Sequence, residues 1–303
     1  MTLKSGVALP AARRRSDAPS AGARRVSGVA VRRYTLAGVL LIIAVLWLMP
    51  LFWALSTSLK VAAQVIRPVP EWIPSPLTLD SYAAVFSSAR NSSILFPLLN
   101  SIIIAVLSAV LTVFVSAAAA FPLARMQFRG RNLIFAIIIG SLMVPDIVTL
   151  VPSYLIVAYL GWLNTYQALV VPYIASPFGV FLMRQFFLSI PNEMVDAARV
   201  DGANAWQVLT RLFLPLSRPA VVALTIFTVR NAWNDFTWPL IVLTSYRMET
   251  LTVALAQLKD AFTMESYGPI MAGAVISAVP ILIVFVVANR YIVEGVQLSG
   301  MKG

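Results

Sequence analysis

The 303-residue sequence contains no cysteine and no histidine. Without cysteine there is no disulfide, no thiol nucleophile and no thiolate ligand. Without histidine there is no imidazole base, and zinc sites of the usual kinds are excluded. Lysine is nearly as scarce: Lys4, Lys60, Lys259 and Lys302 follow Leu3, Leu59, Leu258 and Met301. A Walker A phosphate loop needs glycine directly before lysine, so the chain carries none. Charge of either sign is sparse, at 12% of residues, where soluble domains carry about 25%.

What is present is apolar. Hydrophobic residues make up 59% and the mean hydropathy is +0.84. Several runs reach the roughly 20 residues needed to cross a bilayer as helix, so the chain reads as an integral membrane protein. Its alternation is not that of short barrel strands, so the spans must be helices, which satisfy their own backbone groups in lipid. The net charge of +11 does not point to nucleic acid, because much of it sits in the N-terminal tail and the short loops of one side.

Residues 1–30 are rich in Ala, Arg, Ser and Gly without a hydrophobic period. They read as a disordered basic cytoplasmic tail near anionic lipid. Residues 31–303 read as one six-span transmembrane domain, with spans at about 35–56, 94–123, 132–150, 166–188, 218–243 and 268–292. A secretory signal peptide is the competing reading of the first run, since Arg32 and Arg33 precede it and Ala54-Leu55-Ser56 resembles a cleavage site. The run is too long for a signal core, so an uncleaved span is preferred. The excursion at 60–93 holds Pro68, Pro70, Pro74 and Pro76, too dense for a regular helix. Most of the 23 Lys and Arg fall in the tail, after span two, around residues 189–215 and at the C-terminus. The positive-inside rule places those parts, and both termini, in the cytoplasm.

The polar interruption 189–215 has its own helical grammar. Ser189 can cap a helix and Pro191 suits its first turn. Glu193 and Asp196 lie near the positive end of that helix, and Asp196 can pair with Arg199 one turn on. Ala197 and Ala198 leave a patch with almost no side chain. Gly202 is a helix stop, because glycine enters the left-handed cap conformation without strain. Asn204 can cap a second helix through Trp206, Leu209 and Leu212, ending at Pro215.

Polar groups inside spans mark function in membrane proteins. The densest set runs from Arg230 to Pro239. Asn231, Asn234 and Asp235 offer donors and acceptors, and Trp233, Phe236 and Trp238 offer flat apolar faces. Sugars present hydroxyl edges and C–H faces, so Asn231, Trp233, Asn234 and Asp235 are substrate-path residues on this reading. The structural alternative is that these polar groups hold helices together, that the tryptophans form an interfacial belt, and that Arg230 and Asp235 neutralise each other. Asp146, beside Pro145, reads as structural or gate-lining. Asp146, Arg230 and Asp235 also leave open an ion-coupled secondary transporter, and an Asp146/Asp235 pair an intramembrane enzyme. No internal repeat supports the former, and no nucleophile–base pattern supports the latter. No residue is assigned a catalytic, metal-binding or cofactor-binding role.

Asp196-Ala197-Ala198, three residues, Gly202, nine residues and Leu212-Phe213-Leu214-Pro215 resemble the cytoplasmic loop E-A-A-x3-G-x9-I-x-L-P of importer-type ABC permeases. Asp196 stands for Glu and Leu212 for Ile. The resemblance extends from span one to the C-terminus. The stretches 176–187, 233–243 and 290–303 look like the carbohydrate-uptake branch, near the second, shorter permease of maltose- and glycerol-phosphate-type systems. It implies a permease subunit in the inner membrane that hydrolyses no ATP, carrying a sugar or another polar solute. It implies a heterodimer with a sister permease, two copies of a cytoplasmic ATPase and an extracytoplasmic solute-binding protein. On that resemblance Glu193, Asp196, Ala197, Ala198, Asp201, Gly202, Leu214 and Pro215 couple to the ATPase, with 189–215 as the coupling loop.

Overall fold

A computed structural model of the protein describes residues 21–65, 71–87, 93–261 and 267–300. Among these residues all regular structure is helical. The elements are α1 (Ala21–Ser58), α2 (Ala62–Val65), α3 (Asp80–Phe86), α4 (Leu95–Arg125), α5 (Arg131–Ser141), α6 (Asp146–Tyr159), α7 (Tyr166–Val170) and α8 (Pro177–Ser189). They continue with α9 (Asn192–Val200), α10 (Ala205–Gln207), α11 (Leu214–Leu216), α12 (Arg218–Asn234), α13 (Thr237–Val242), α14 (Leu251–Ala261) and α15 (Tyr267–Gly300). The chain divides between Phe52 and Trp53 into two compact units.

The first unit, where described, is the body of α1. This helix starts at Ala21, so residues 21–30, expected to be irregular tail, are helical. Ala21, Ala23, Arg24 and Arg25 are strong helix formers, and no proline follows Pro19 until Pro50. Residues 1–20 lie outside the described residues, as do Lys302 and Gly303. The side chains from Leu36 to Met49 include eleven large apolar groups exposed around the helix, among them Val39, Leu40, Leu46 and Trp47. A helix apolar on all sides needs lipid or protein around it.

Three helical stretches are individually long and apolar enough to cross a bilayer: Arg32–Ser58, Leu95–Arg125 and Tyr267–Val287. Three pairs of helices pass the same test only together: α5 with α6, Tyr166–Tyr173 with α8, and Ala205–Leu216 with α12, the last bent by 82°. Expected span three is two helices, α5 and α6, bent by 99° at residues 142–145. Pro145 has no N–H to give an α-helix and holds its predecessor extended or in a turn, which explains the break. Expected span four is α7, a tight turn at Val171–Tyr173, and α8, with a 47° bend. There Ser176 caps α8 by accepting from the Gly179 N–H at 3.0 Å, and Pro177 takes the first helical position. Expected span five is also discontinuous: α12 stops at Asn234 and α13 starts at Thr237, with extended Asp235 between.

In the second unit α4 is the axis. One side buries Ile104, Ala105, Ser108, Ala109, Thr112, Ser116, Ala117 and Ala120. This small-residue stripe lets neighbouring helices approach closely, which is what membrane packing selects in place of hydrophobic collapse. A Cβ on Gly179 of α8 would lie 2.3 Å from the Ser116 Oγ and 3.1 Å from its Cβ, so a side chain there would force Ser116 or the helices to shift. The larger groups then fill three clusters. One gathers Phe121, Met183, Phe187, Phe213 and Leu224. A second gathers Ile104, Val157, Leu169, Trp238 and Val242. The third gathers Val85, Ile94, Trp233, Leu251 and Ala272.

Candidate functional site

The segment between α8 and α12 forms from local rules. Helix α9 ends at Val200, and Gly202 adopts φ +78°. The Ala203 N–H donates to the Ala198 carbonyl (2.9 Å) and the Gly202 N–H to Arg199 (3.0 Å). These two bonds are the paired closure of a Schellman cap. Asn204 then accepts from the Gln207 N–H, while the Gln207 side chain accepts from the Asn204 N–H, both at 2.9 Å. This reciprocal capping box starts α10. Asp196 and Arg199 pair at 3.7 Å, both exposed. Two expectations are corrected. Ser189 does not cap α9; it ends α8 and donates to the Phe186 carbonyl (2.7 Å), and Pro191 stands at the α9 N-terminus without a side-chain cap. Nor does the second helix stop at Pro215. A wide π turn, Val208–Phe213, precedes the proline, and α11 runs through it to Leu216. Pro215 cannot donate a backbone bond, and a π turn is a common way for a helix to absorb such a gap.

Glu193, Asp196, Ala197, Asp201, Gly202 and Pro215 all lie on the exposed surface of this segment. Ala198 and Leu214 are half-buried and face the Phe121–Phe213 cluster instead. Val195 is buried there as well. The second helix lies back on α4, with Trp206 edge-on to Phe114 at 5.9 Å and Phe213 to Phe121 at 5.2 Å.

Arg125, read in the sequence only as an inside marker, is the brace of this segment. From the end of α4 it donates to the Phe187 and Ile190 carbonyls at the end of α8, and to Asn192 Oδ1 at the start of α9. Its guanidinium also stands 5.3 Å from the Phe213 ring, which packs edge-on to Phe187 at 5.1 Å. One planar cation therefore touches both halves of the 189–215 segment, with donors and face used together. Above it, Arg184 donates to the Leu123 carbonyl (3.0 Å) and stacks on Phe135 at 4.0 Å. The sequence signal was an arginine in the last turn of an apolar helix, which names no partner.

The 230–239 cluster is split by the structure. Trp233 is buried and donates its indole N–H to the Ser277 carbonyl of α15 at 3.1 Å. Trp238 does the same toward Ala168 of α7 at 2.8 Å. Both fasten helices. Asn231 and Asn234 are exposed, and the Asn234 amide donates back to the Arg230 carbonyl. Asp235 sits at the break between α12 and α13. Its carboxylate accepts from the Trp238 N–H (3.4 Å), and its carbonyl accepts from the Thr252 hydroxyl (2.6 Å). Arg230 is not ion-paired with Asp235; its nearest polar partner is the neighbouring Asn231, at 3.5 Å. Asp146 is exposed in the first turn of α6 and lies within electrostatic range of Asp235 and Tyr173. The breaks at 142–145, 171–176 and 235–236 thus bring Asp146, Tyr173 and Asp235 within electrostatic range of one another. Broken helices are tolerated at membrane depth where they are buried in protein or line a water-filled cavity.

Beyond this break, residues 242–251 are clamped to the rest of the unit. Asn100 of α4 donates to the Arg247 and Glu249 carbonyls (2.8 and 2.9 Å) and accepts from the Tyr166 hydroxyl (2.7 Å). Asn164, at φ +59°, accepts from the Thr244 and Ser245 N–H groups and donates to the Thr244 hydroxyl. The Tyr246 hydroxyl donates to the Ser93 carbonyl at 2.9 Å. Burial, and then the nearby Glu249, push this phenol up to about 12, so it stays a donor. Among the described residues no group of acidic side chains could hold a metal ion.

An all-helical membrane protein with several apolar helices, bent helix pairs and a locally closed helix–turn–helix is the class this fold and site define. The chain belongs to the family described as binding-protein-dependent transport system inner membrane component, whose model matches residues 112–297. It is 33% identical over 276 residues to the arabinooligosaccharides transport system permease protein AraQ of Bacillus subtilis, covering 90% of this chain and 97% of that one. It is 33% identical over 287 residues to the trehalose/maltose transport system permease protein MalG of Thermococcus litoralis, covering 90% and 100%. The fold matches a chain of a bacterial ABC transporter involved in the import of the acidic polysaccharide alginate, with TM-score 0.75, 24% identity and coverage of 93% and 99%. The protein is thus a membrane permease component of a transport system, not itself an enzyme.

Proposed function

We propose that this chain forms one half of the translocation pathway of an ATP-driven carbohydrate importer and couples it to a separate ATPase. The carrying observation is the closed, exposed α9–Gly202 turn joined to the helix core through Arg125. Its outer surface is nearly bare at Ala197 and Gly202, as a helix seated in another protein's cleft requires. In this reading α1, α4, α5–α6, α7–α8, α12–α13 and α15 are six crossings, and 189–216 and both termini are cytoplasmic. A sister permease covers exposed apolar faces such as Ile147, Val151 and Leu155 on α6. Two ATPase copies and an extracytoplasmic solute-binding protein complete the assembly. Asn231, Asn234 and Asp235 border the path, and Trp233 holds their helix in place.

Carbohydrate is favoured because relatives are named for arabinooligosaccharides, trehalose/maltose and lactose. A phosphorylated polyol is the second reading, because the chain is also 32% identical over 251 residues to the sn-glycerol-3-phosphate transport system permease protein UgpE of Brucella suis. The test is co-purification of the assembly from native membranes, followed by uptake of labelled oligosaccharides and glycerol phosphate into proteoliposomes. ATP-dependent oligosaccharide uptake is expected. Uptake of the phosphate ester alone would establish the second reading, and isolation without any ATPase would refute both.

A further inference from the structure

The stretch from Trp72 to Leu79 carries a row of exposed apolar side chains. Ile73 is 76% exposed, Leu77 65% and Leu79 63%. No charged residue lies within the row; Glu71 and Asp80 flank it. An apolar row of this kind on a water-facing loop has to be covered by something.

Its height along the fold is fixed by three contacts with residues 53–60. The Ser56 hydroxyl donates to the Trp72 carbonyl at 2.5 Å. The Thr78 N–H donates to the Leu59 carbonyl at 3.0 Å. Trp72 stands edge-on to Trp53 with ring centroids 5.0 Å apart, and Lys60 Nζ lies 4.3 Å from the Trp53 ring. Both ends of the row are therefore tied to residues 53–60, where the membrane-crossing stretch Arg32–Ser58 ends. The row lies at the level of that helix end, not beyond it.

The backbone suits the same depth. Pro74 and Pro76 have no N–H. The Ser75 N–H donates to Gln64 Oε1 at 3.4 Å, and the Gln64 amide donates to the Ser75 carbonyl and to Glu71 Oε2. Gln64 itself is buried. Two positions of the row thus have no N–H and the Ser75 and Thr78 N–H groups donate within the protein, which lowers the cost of placing this backbone at an apolar boundary. A tryptophan pair at the polar–apolar junction is the usual signature of the interface.

We propose that Ile73, Leu77 and Leu79 insert into the acyl–headgroup boundary of the bilayer, making residues 71–80 a lipid anchor beside the end of the first membrane helix. The outer leaflet as its location rests on the orientation proposed above; the depth does not. The anchor holds the base of α3 at a constant height. A Cβ on Gly268, at the start of α15, would fall 2.4 Å from the Ser81 Oγ of α3, so that start shares the same footing.

The absence of cysteine gives a clean background for the test. Ile73→Cys, Leu77→Cys, Leu79→Cys and, as a water-side control, Asp80→Cys are made singly. Each is spin-labelled in the full assembly with cysteine-free partner chains, in phosphatidylcholine proteoliposomes that retain uptake. Collision with oxygen, which concentrates in lipid, is compared with collision with a water-soluble nickel chelate. At the first three positions oxygen accessibility should exceed that of nickel by roughly threefold, with the reverse at Asp80→Cys. Nickel dominating at all four would show a water-facing loop and overturn the proposal. Exclusion of both agents would show a protein partner over the row and overturn it equally. An impermeant reductant added outside separates the leaflet question: loss of signal only after lysis would reject the proposed orientation while leaving the depth result intact.

Discussion

The α9–Gly202–α10 segment and the α12–α13 break are both polar interruptions, yet they solve the backbone problem differently. The first closes its orphan groups within a few residues, through the Schellman bonds at Ala198 and Arg199 and the Asn204–Gln207 box. The second closes them at a distance, through Thr252 onto the Asp235 carbonyl and tryptophan bonds to Ser277 and Ala168. A locally closed element can stand out from the membrane and present a surface. A distantly closed one is an internal joint whose geometry changes when its neighbours move.

The sharpest way to break this contrast is at Gly202. A Cβ there meets nothing within 4 Å, so the chain itself opposes a side chain only through the left-handed backbone, at a cost of about 1 kcal/mol. Gly202→Asp should therefore leave insertion and fold intact while abolishing uptake, because the penalty falls at the docked surface. Uptake and ATPase retention are measured at matched protein levels. Normal values for both would make Gly202 an ordinary turn residue.

Arg125→Ala comes next. It strands the Phe187 and Ile190 carbonyls and Asn192, a loss of roughly 2–4 kcal/mol if those groups stay buried. The assembled complex should keep basal ATP hydrolysis but lose its stimulation by loaded binding protein, and Arg125→Lys should restore only part of it, since one ammonium nitrogen lacks the planar fork that reaches Asn192 and the two carbonyls from separate nitrogens. Unchanged stimulation in Arg125→Ala would mean that the brace transmits nothing.

At the joint, effects should separate by residue. Trp233→Ala should destabilise by about 3–5 kcal/mol, read as a lower melting temperature in detergent, because it opens a cavity and removes the bond to Ser277. Asn234→Ala should leave stability within about 0.5 kcal/mol and shift the uptake constant. If the two substitutions changed stability equally, the division between fastening and path-lining residues would fail.

The same contrast explains what the sequence disclosed. Gly202, Asn204 and the Asp196–Arg199 pair were legible because their partners are three to five residues away. Pro145 and Asp235 stood inside runs read as continuous spans, because the 99° bend and the extended residue after Asn234 depend on which helices lie alongside. Trp233 looked like a sugar platform because an indole in a membrane helix can equally stack on a ligand or bond a carbonyl. Arg125 could not be assigned, since its acceptors lie more than sixty positions along the chain. The pivot at Asn164 escaped for the same reason.

The most direct measurement of the central claim uses single cysteines on the exposed side of α9. Ala197→Cys and Val200→Cys, in the otherwise cysteine-free chain, are labelled with a short maleimide–benzophenone reagent, whose photoactivated ketone inserts into a neighbouring C–H bond, in native membranes containing the whole assembly. Each should give a covalent adduct whose second component, identified by mass spectrometry, is the ATPase subunit, and the adduct should disappear when Gly202→Asp is added. Modification of both positions by an impermeant maleimide from outside intact cells, with no ATPase adduct, would contradict the account.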